Sequence, residues 1–131
     1  MIDNRKVLVV DDKQNVLDTV RIWLAECGLV VDTALNGLDG LEKASKGNYR
    51  LIIIDHLMPL MNGQQLAKNL KQKELTANIP LLFMTTQDVK SIKDSSDAAN
   101  FLSVIAKPLD KTEFFTALSS YLPENSLKQS L

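Results

Sequence analysis

The chain has 131 residues, of which 45% are hydrophobic and 24% are charged, a composition typical of one ordinary globular domain. Sixteen acidic and fifteen basic side chains leave a net charge of −1, so the sequence lacks the basic excess of most nucleic-acid-binding domains. The single cysteine excludes an internal disulfide and suits a reducing compartment, and no apolar run reaches the roughly 18 residues of a membrane helix.

The first part of the chain is predicted to alternate strands and helices. Lys6–Val10 is an apolar run typical of a buried strand, and apolar residues at helical spacing follow it as far as a C-terminal cap at Gly28. Leu29–Ala34 is predicted to be a second, weaker strand. A shorter helix is predicted to begin near Asn36–Gly37 and to end near Lys46.

The rest of the chain continues this alternation. In order, the predicted elements are the strand Leu51–Ile54, a helix beginning at Asn62–Gly63, the strand Leu81–Met84, a weak helix over Asp88–Ala99, the strand Phe101–Ala106 and a helix over Lys111–Leu122. Asp110 is the predicted N-cap of the last helix, with Glu113 completing a capping box, and Pro123 ends it. Residues 124–131 are polar and aperiodic, which predicts a flexible tail.

Strands and helices that alternate five times are typical of a doubly wound α/β fold. The predicted strands are continuously apolar rather than alternating, which indicates burial on both faces. We therefore expect a five-stranded parallel sheet with helices on both sides. Ligands of such sheets bind outside the carboxyl ends of the strands.

Polar residues stand at those carboxyl ends. Asp11 and Asp12 follow the first strand, Asp55 the third, Thr85 the fourth and Lys107 the fifth. Three carboxylates at one edge need a counter-charge, and oxygen ligands without histidine or cysteine favour Mg²⁺. A lysine and a hydroxyl suit an anionic ligand such as a phosphoryl group, which an aspartate can accept as a nucleophile.

Each of these residues also has a purely structural interpretation. Asp11 or Asp12 could be the N-cap of the first helix, and Lys107–Pro108 is a common loop dipeptide. His56, the only histidine, follows Asp55 on an extended chain and is expected to face away from the metal. The case for a site therefore depends on the coincidence of these residues at strand ends.

The same residues make the sequence resemble the receiver domain of two-component response regulators. The matching segments are Val7–Asp12, Asn36–Gly37, Leu51–Pro59, Asn62–Gly63, Met84–Thr86 and Lys107–Pro108. The resemblance covers about residues 5–122 and implies a receiver domain over residues 1–123. It also implies a flavodoxin-like sheet with strand order 2-1-3-4-5.

The resemblance implies that Asp55 accepts a phosphoryl group from a histidine kinase or a phosphotransfer protein. The implied Mg²⁺ ligands are Asp11, Asp12, Asp55 and the backbone carbonyl of Leu57. Lys107, whose bond to Pro108 is cis in many relatives, would pair with phosphoryl oxygens, and Thr85 would move its hydroxyl onto the phosphate. Such a domain catalyses its own phosphorylation and slow dephosphorylation and signals through a changed surface.

Two positions depart from the receiver pattern. Val104 stands where receivers usually carry a tyrosine or phenylalanine that turns inward on activation. Activation is therefore expected to act mainly through the loop after Thr85. Leu57 and Gln87 flank the path of the hydrolytic water, and an apolar Leu57 cannot orient that water, which predicts a long-lived phosphoryl group.

A cytoplasmic receiver with no direct nucleic-acid or membrane contact is thus expected, either stand-alone or excised from a longer regulator. Its downstream protein partner would bind the face of the fourth helix, fifth strand and last helix. A degenerate receiver that acts as a phosphorylation-independent scaffold is the main alternative. A Mg²⁺-dependent phosphohydrolase usually needs a second aspartate where Leu57 stands, and a flavodoxin-like carrier needs a phosphate-cradling loop where the acidic residues stand.

Overall fold

Five parallel strands form one sheet in the computed structural model, which describes residues 6–94, 101 and 103–119. The strands are β1 (Lys6–Val10), β2 (Val30–Ala34), β3 (Leu51–Asp55), β4 (Leu81–Thr85) and β5 (Ser103–Ala106). Their order is β2-β1-β3-β4-β5, and every adjacent pair is parallel. The predicted flavodoxin-like fold is confirmed.

Asp55 and Thr85 lie inside the sheet rather than after it, because β3 and β4 each extend one residue beyond their predicted ends. Asp55 is in register with Met84, and Thr85 is in register with Ala106. Both polar side chains are therefore held by strand backbone, which fixes their positions more tightly than a loop would.

The helices are α1 (Gln14–Ala25), α2 (Gly37–Lys46), α3 (Gly63–Gln72), α4 (Val89–Lys93) and α5 (Lys111–Leu118). Asn36 and Asp110 are N-caps as predicted, and Asn62 forms a full capping box with Gln65. After α1 the chain turns at Gly28, whose φ of 77° lies in the left-handed region that favours glycine.

Some predicted features fall beyond the described part of the chain. The extension of the weak helix to Ala99, the end of the last helix at Leu122 and the tail over residues 124–131 lie outside the described residues. Within those residues, no helix is both long and apolar enough to cross a membrane.

Two apolar layers cover the two faces of the sheet. Along β1 and β3 alternate side chains enter opposite layers, as Leu8 and Val9 illustrate. One layer contains buried residues of α2, α3 and α4, and the other contains buried residues of α1 and α5. Trp23 and Cys27 belong to the second layer, as their helical spacing indicates. The polar residues of the sheet are thereby left to its carboxyl edge.

Candidate functional site

The carboxyl edge of the sheet brings the predicted acidic residues together. Asp11 and Asp12 follow β1, Asp55 ends the neighbouring strand β3, and one carboxylate oxygen of each lies within 4.8 Å of the others. Asp11 and Asp55 are buried, whereas Asp12 is partly exposed. Neither Asp11 nor Asp12 caps α1, whose N-cap is Lys13. The cluster therefore has no role as a helix cap.

Lys107 enters this cluster from the end of β5. Its Nζ lies 2.7 Å from Oδ2 of Asp11 and 2.9 Å from Oδ1 of Asp55. Burial alone would lower the pKa of Lys107, but hydrogen bonds to the two carboxylates outweigh it and raise the pKa above its usual value. One fixed cation thus compensates part of a site with three carboxylates. The peptide bond to Pro108 is cis, as the resemblance implies.

Asp55 is the least satisfied group at this edge. Its Oδ1 pairs with Lys107, but its Oδ2 is buried and has no hydrogen-bond partner among the described residues. Burial, partly offset by Lys107 and reinforced by the charge of Asp11, raises the pKa of Asp55 to about 6. A buried carboxylate oxygen without a donor suits a cation or an incoming electrophile.

The residues of this edge fit a magnesium ion. The donor set is entirely oxygen, it has more negative charge than Lys107 neutralises, and one of its oxygens lacks a partner. Hard cations such as Mg²⁺ prefer such ligands. Leu57, the source of the predicted carbonyl ligand, lies two residues beyond Asp55, and its side chain is half exposed.

The loop after Asp55 is closed by a glycine. The backbone N–H of Gly63 donates to the carbonyl oxygen of His56 at 2.9 Å. A Cβ at Gly63 would stand 2.3 Å from the carbonyl oxygen of Asp55 and 2.7 Å from the ring of Phe83. Only glycine allows α3 to begin this close to the end of β3.

His56 contacts Thr85, which the sequence did not predict. Its Nδ1 lies 2.8 Å from Oγ1 of Thr85, and its ring packs on Phe83 with 5.0 Å between the ring centroids. Burial lowers the pKa of His56, which favours the neutral imidazole. Thr85 is itself fully buried, and its Oγ1 also accepts a hydrogen bond from the backbone N–H of Gln87 at 2.9 Å.

The usual aromatic position of the receiver pattern is part of the core in this chain. Val104 is buried in the layer that contains Phe83, and it is in register with that residue across β4 and β5. Phe101 packs on Phe83 with 4.0 Å between the ring centroids and is buried, which confirms its interpretation as a core residue.

Comparison with known proteins assigns this edge to a family. Residues 7–119 match the family model described as the response regulator receiver domain. A probable transcriptional regulator, ycf29 of Pyropia yezoensis, is 27% identical over 95% of this chain, which spans 56% of that relative's length.

Solved structures give the same result. The chemotaxis protein CheY4 of Vibrio cholerae is 30% identical with a TM-score of 0.82, covering 89% of this chain and 98% of its own. The response regulator protein TrrA of Thermotoga maritima, solved in complex with Mg²⁺–BeF, is 26% identical with a TM-score of 0.81, covering 90% of this chain and 99% of its own.

Proposed function

The chain belongs to the response regulator receiver domain family, and on that basis we propose that it accepts a phosphoryl group on Asp55 in a Mg²⁺-dependent reaction. The observation that carries this proposal is the state of the Asp55 carboxylate. One of its oxygens is held by Lys107, and the other is buried without a partner beside two further carboxylates. Such a group can gain stabilising contacts when it receives an electrophile.

In the proposed reaction, the ionised Asp55 attacks the phosphorus of a phosphohistidine. A bond forms between the phosphorus and a carboxylate oxygen, the bond between phosphorus and imidazole nitrogen breaks, and the imidazole of the donor leaves with the electron pair. Because the pKa of Asp55 is about 6, its carboxyl group is mostly ionised at neutral pH and can act as the nucleophile.

Lys107 and Thr85 then stabilise the product. The ammonium group of Lys107, already 2.9 Å from Asp55, can turn to a phosphoryl oxygen, and the hydroxyl of Thr85 can donate to another. Asp11, Asp12, Asp55 and the carbonyl of Leu57 are the residues that would hold Mg²⁺. When bound, this ion would neutralise negative charge on the transferring phosphoryl group.

Receiver domains of two-component systems interact with histidine kinases, and a histidine kinase or a phosphotransfer protein is the proposed donor for this chain. The proposed output surface lies between α4, β5 and α5. A mostly apolar depression there is lined by Val89, Val104 and Ala117, which supports a protein partner. The buried free thiol of Cys27 agrees with the proposed cytoplasmic location of a receiver spanning residues 1–123.

The test is the intact mass of the protein after incubation with acetyl phosphate and Mg²⁺. The wild type should gain the mass of one phosphoryl group, whereas Asp55→Ala should gain none. Asp12→Ala, or a chelator added to the wild type, should slow the reaction by at least about tenfold, since removal of a magnesium ligand removes part of the charge compensation.

The main alternative is a scaffold that works without phosphorylation, and Val104 at the usual aromatic position is the observation that favours it. A wild type that gains no mass while it remains folded would favour this alternative. An adduct of equal yield on Asp55→Ala would instead place the phosphoryl group on another residue.

A further inference from the structure

The hydroxyl of Thr85 has two partners in this structure. Its Oγ1 accepts from the backbone N–H of Gln87 at 2.9 Å and lies 2.8 Å from Nδ1 of His56. A hydroxyl carries one proton. Because the backbone N–H already occupies one acceptor position, we assign the hydroxyl proton to the bond with Nδ1, which leaves the proton of the neutral imidazole on Nε2.

The imidazole is fixed in position for this contact. The backbone N–H of His56 donates to the carbonyl oxygen of Met84 at 2.8 Å, and the carbonyl oxygen of His56 accepts from Gly63 at 2.9 Å. Its ring packs on Phe83, and only 8% of the residue is exposed. The acceptor nitrogen is therefore ordered before any ligand arrives, and the bond costs little further entropy.

We propose that His56 is a positioning residue that retains the hydroxyl proton of Thr85 and so opposes phosphorylation of Asp55. This inference rests on the proposed function, in which Thr85 donates that proton to a phosphoryl oxygen. One proton cannot serve Nδ1 and a phosphoryl oxygen together, so the two acceptors compete for it. His56 would thus set how far the unphosphorylated state is favoured.

The test measures the affinity of the full chain for beryllofluoride, a phosphoryl mimic, by calorimetric titration in Mg²⁺. His56→Leu removes the acceptor and should bind beryllofluoride about five- to tenfold more tightly than the wild type, the effect expected of one neutral hydrogen bond. His56→Asn and His56→Gln form a matched pair. An asparagine oxygen lies near the position of Nδ1 and should keep affinity within about twofold, whereas the longer glutamine loses that position and should behave like leucine.

A double-mutant cycle separates this role from simple packing. In a Thr85→Val background the hydroxyl is gone, so His56→Leu should no longer change the affinity. Because His56 is the only histidine, its imidazole nitrogens can be observed directly by nitrogen NMR. The free protein should carry the imidazole proton on Nε2, and the Nδ1 signal should shift when beryllofluoride is added.

The outcomes distinguish this inference from the proposed function. A wild type that binds no beryllofluoride would remove both. A wild type that binds while His56→Leu and His56→Gln bind equally or more weakly would overturn the role of His56 alone. A proton found on Nδ1, or an effect of His56→Leu that survives in Thr85→Val, would do the same. If His56→Leu does not fold, His56→Gln provides the comparison.

Discussion

The interior of the sheet and its carboxyl edge are built on the same strands but bury different chemistry. In β3, Ile52 and Ile54 are fully buried among apolar side chains of one layer. One residue later, Asp55 is nearly as buried, yet one of its oxygens has no partner among the described residues, and its pKa is raised to about 6. Burial stabilises the interior and destabilises the charged edge.

This difference indicates where the molecule spends stability on function. An apolar side chain gains from burial whether or not a ligand binds. A buried carboxylate that is only partly compensated gains when a cation or phosphoryl group arrives. The edge is therefore prepared for a ligand because it is incompletely satisfied without one.

The largest expected effect is in the interior. Leu8 is fully buried in β1, and Leu8→Ala should lower the free energy of unfolding by about 2–5 kcal/mol, through lost burial and a residual cavity. Denaturation by urea measures it. Leu38→Ala on α2 is the control, since that side chain is 61% exposed and its loss should change stability by less than about 0.5 kcal/mol. Equal effects would refute the packing described for the interior.

At the edge the sign should reverse. In Mg²⁺-free buffer at pH 7–8, Asp55→Asn should raise the free energy of unfolding by roughly 1–3 kcal/mol, because it removes a poorly compensated buried charge. The folded protein binds the Asp55 proton more tightly than the unfolded chain, with a pKa of about 6 against 3.8. The stability of the wild type therefore falls relative to the variant as pH rises from about 4 to about 6, and the difference then stays constant.

Urea denaturation of both proteins across this pH range measures the difference. Asp18→Asn on α1 is the control, because that residue is exposed, and it should leave both stability and its pH dependence nearly unchanged. An Asp55→Asn variant that is less stable than the wild type above pH 6 would mean that Lys107 fully compensates the carboxylate, and the contrast between interior and edge would fail.

The sequence predicted the interior better than the edge. The continuous apolar runs of β1 and β3 are sufficient for a two-sided sheet, because each such residue must be buried whichever face it takes. The acidic residues and Lys107 were also predicted to meet, since the carboxyl ends of parallel strands share one edge. Their individual roles came from the resemblance and remain proposals.

The contact between His56 and Thr85 could not be found in this way. The two residues are far apart in the sequence, and their contact depends on the register of β3 against β4, in which Asp55 faces Met84. Alternation along an extended chain placed His56 away from Asp55 but did not show which neighbour it would meet. The strand ends were likewise missed by one residue at Asp55 and Thr85, because polar residues there suggested that the strands had ended.

The smallest predicted effect concerns Leu57, an apolar side chain at the polar edge. It is 49% exposed, two residues after Asp55, where it covers part of the edge without offering a hydrogen bond to water. An asparagine at this position could orient an attacking water, so Leu57→Asn should accelerate loss of the phosphoryl group about three- to tenfold, at most roughly 1.4 kcal/mol in the barrier. The decay of the intact-mass adduct after removal of acetyl phosphate measures this rate.

Leu60→Asn is the matched control for this change. Leu60 lies in the same loop and is 96% exposed, so the same substitution there adds an amide that is farther along the chain from Asp55. It should leave the decay rate within about twofold of the wild type. Equal acceleration by both variants would point to a general loosening of the loop. An unchanged rate in Leu57→Asn would show that the apolar side chain does not limit hydrolysis, and that the edge excludes water by its carboxylates and Lys107 alone.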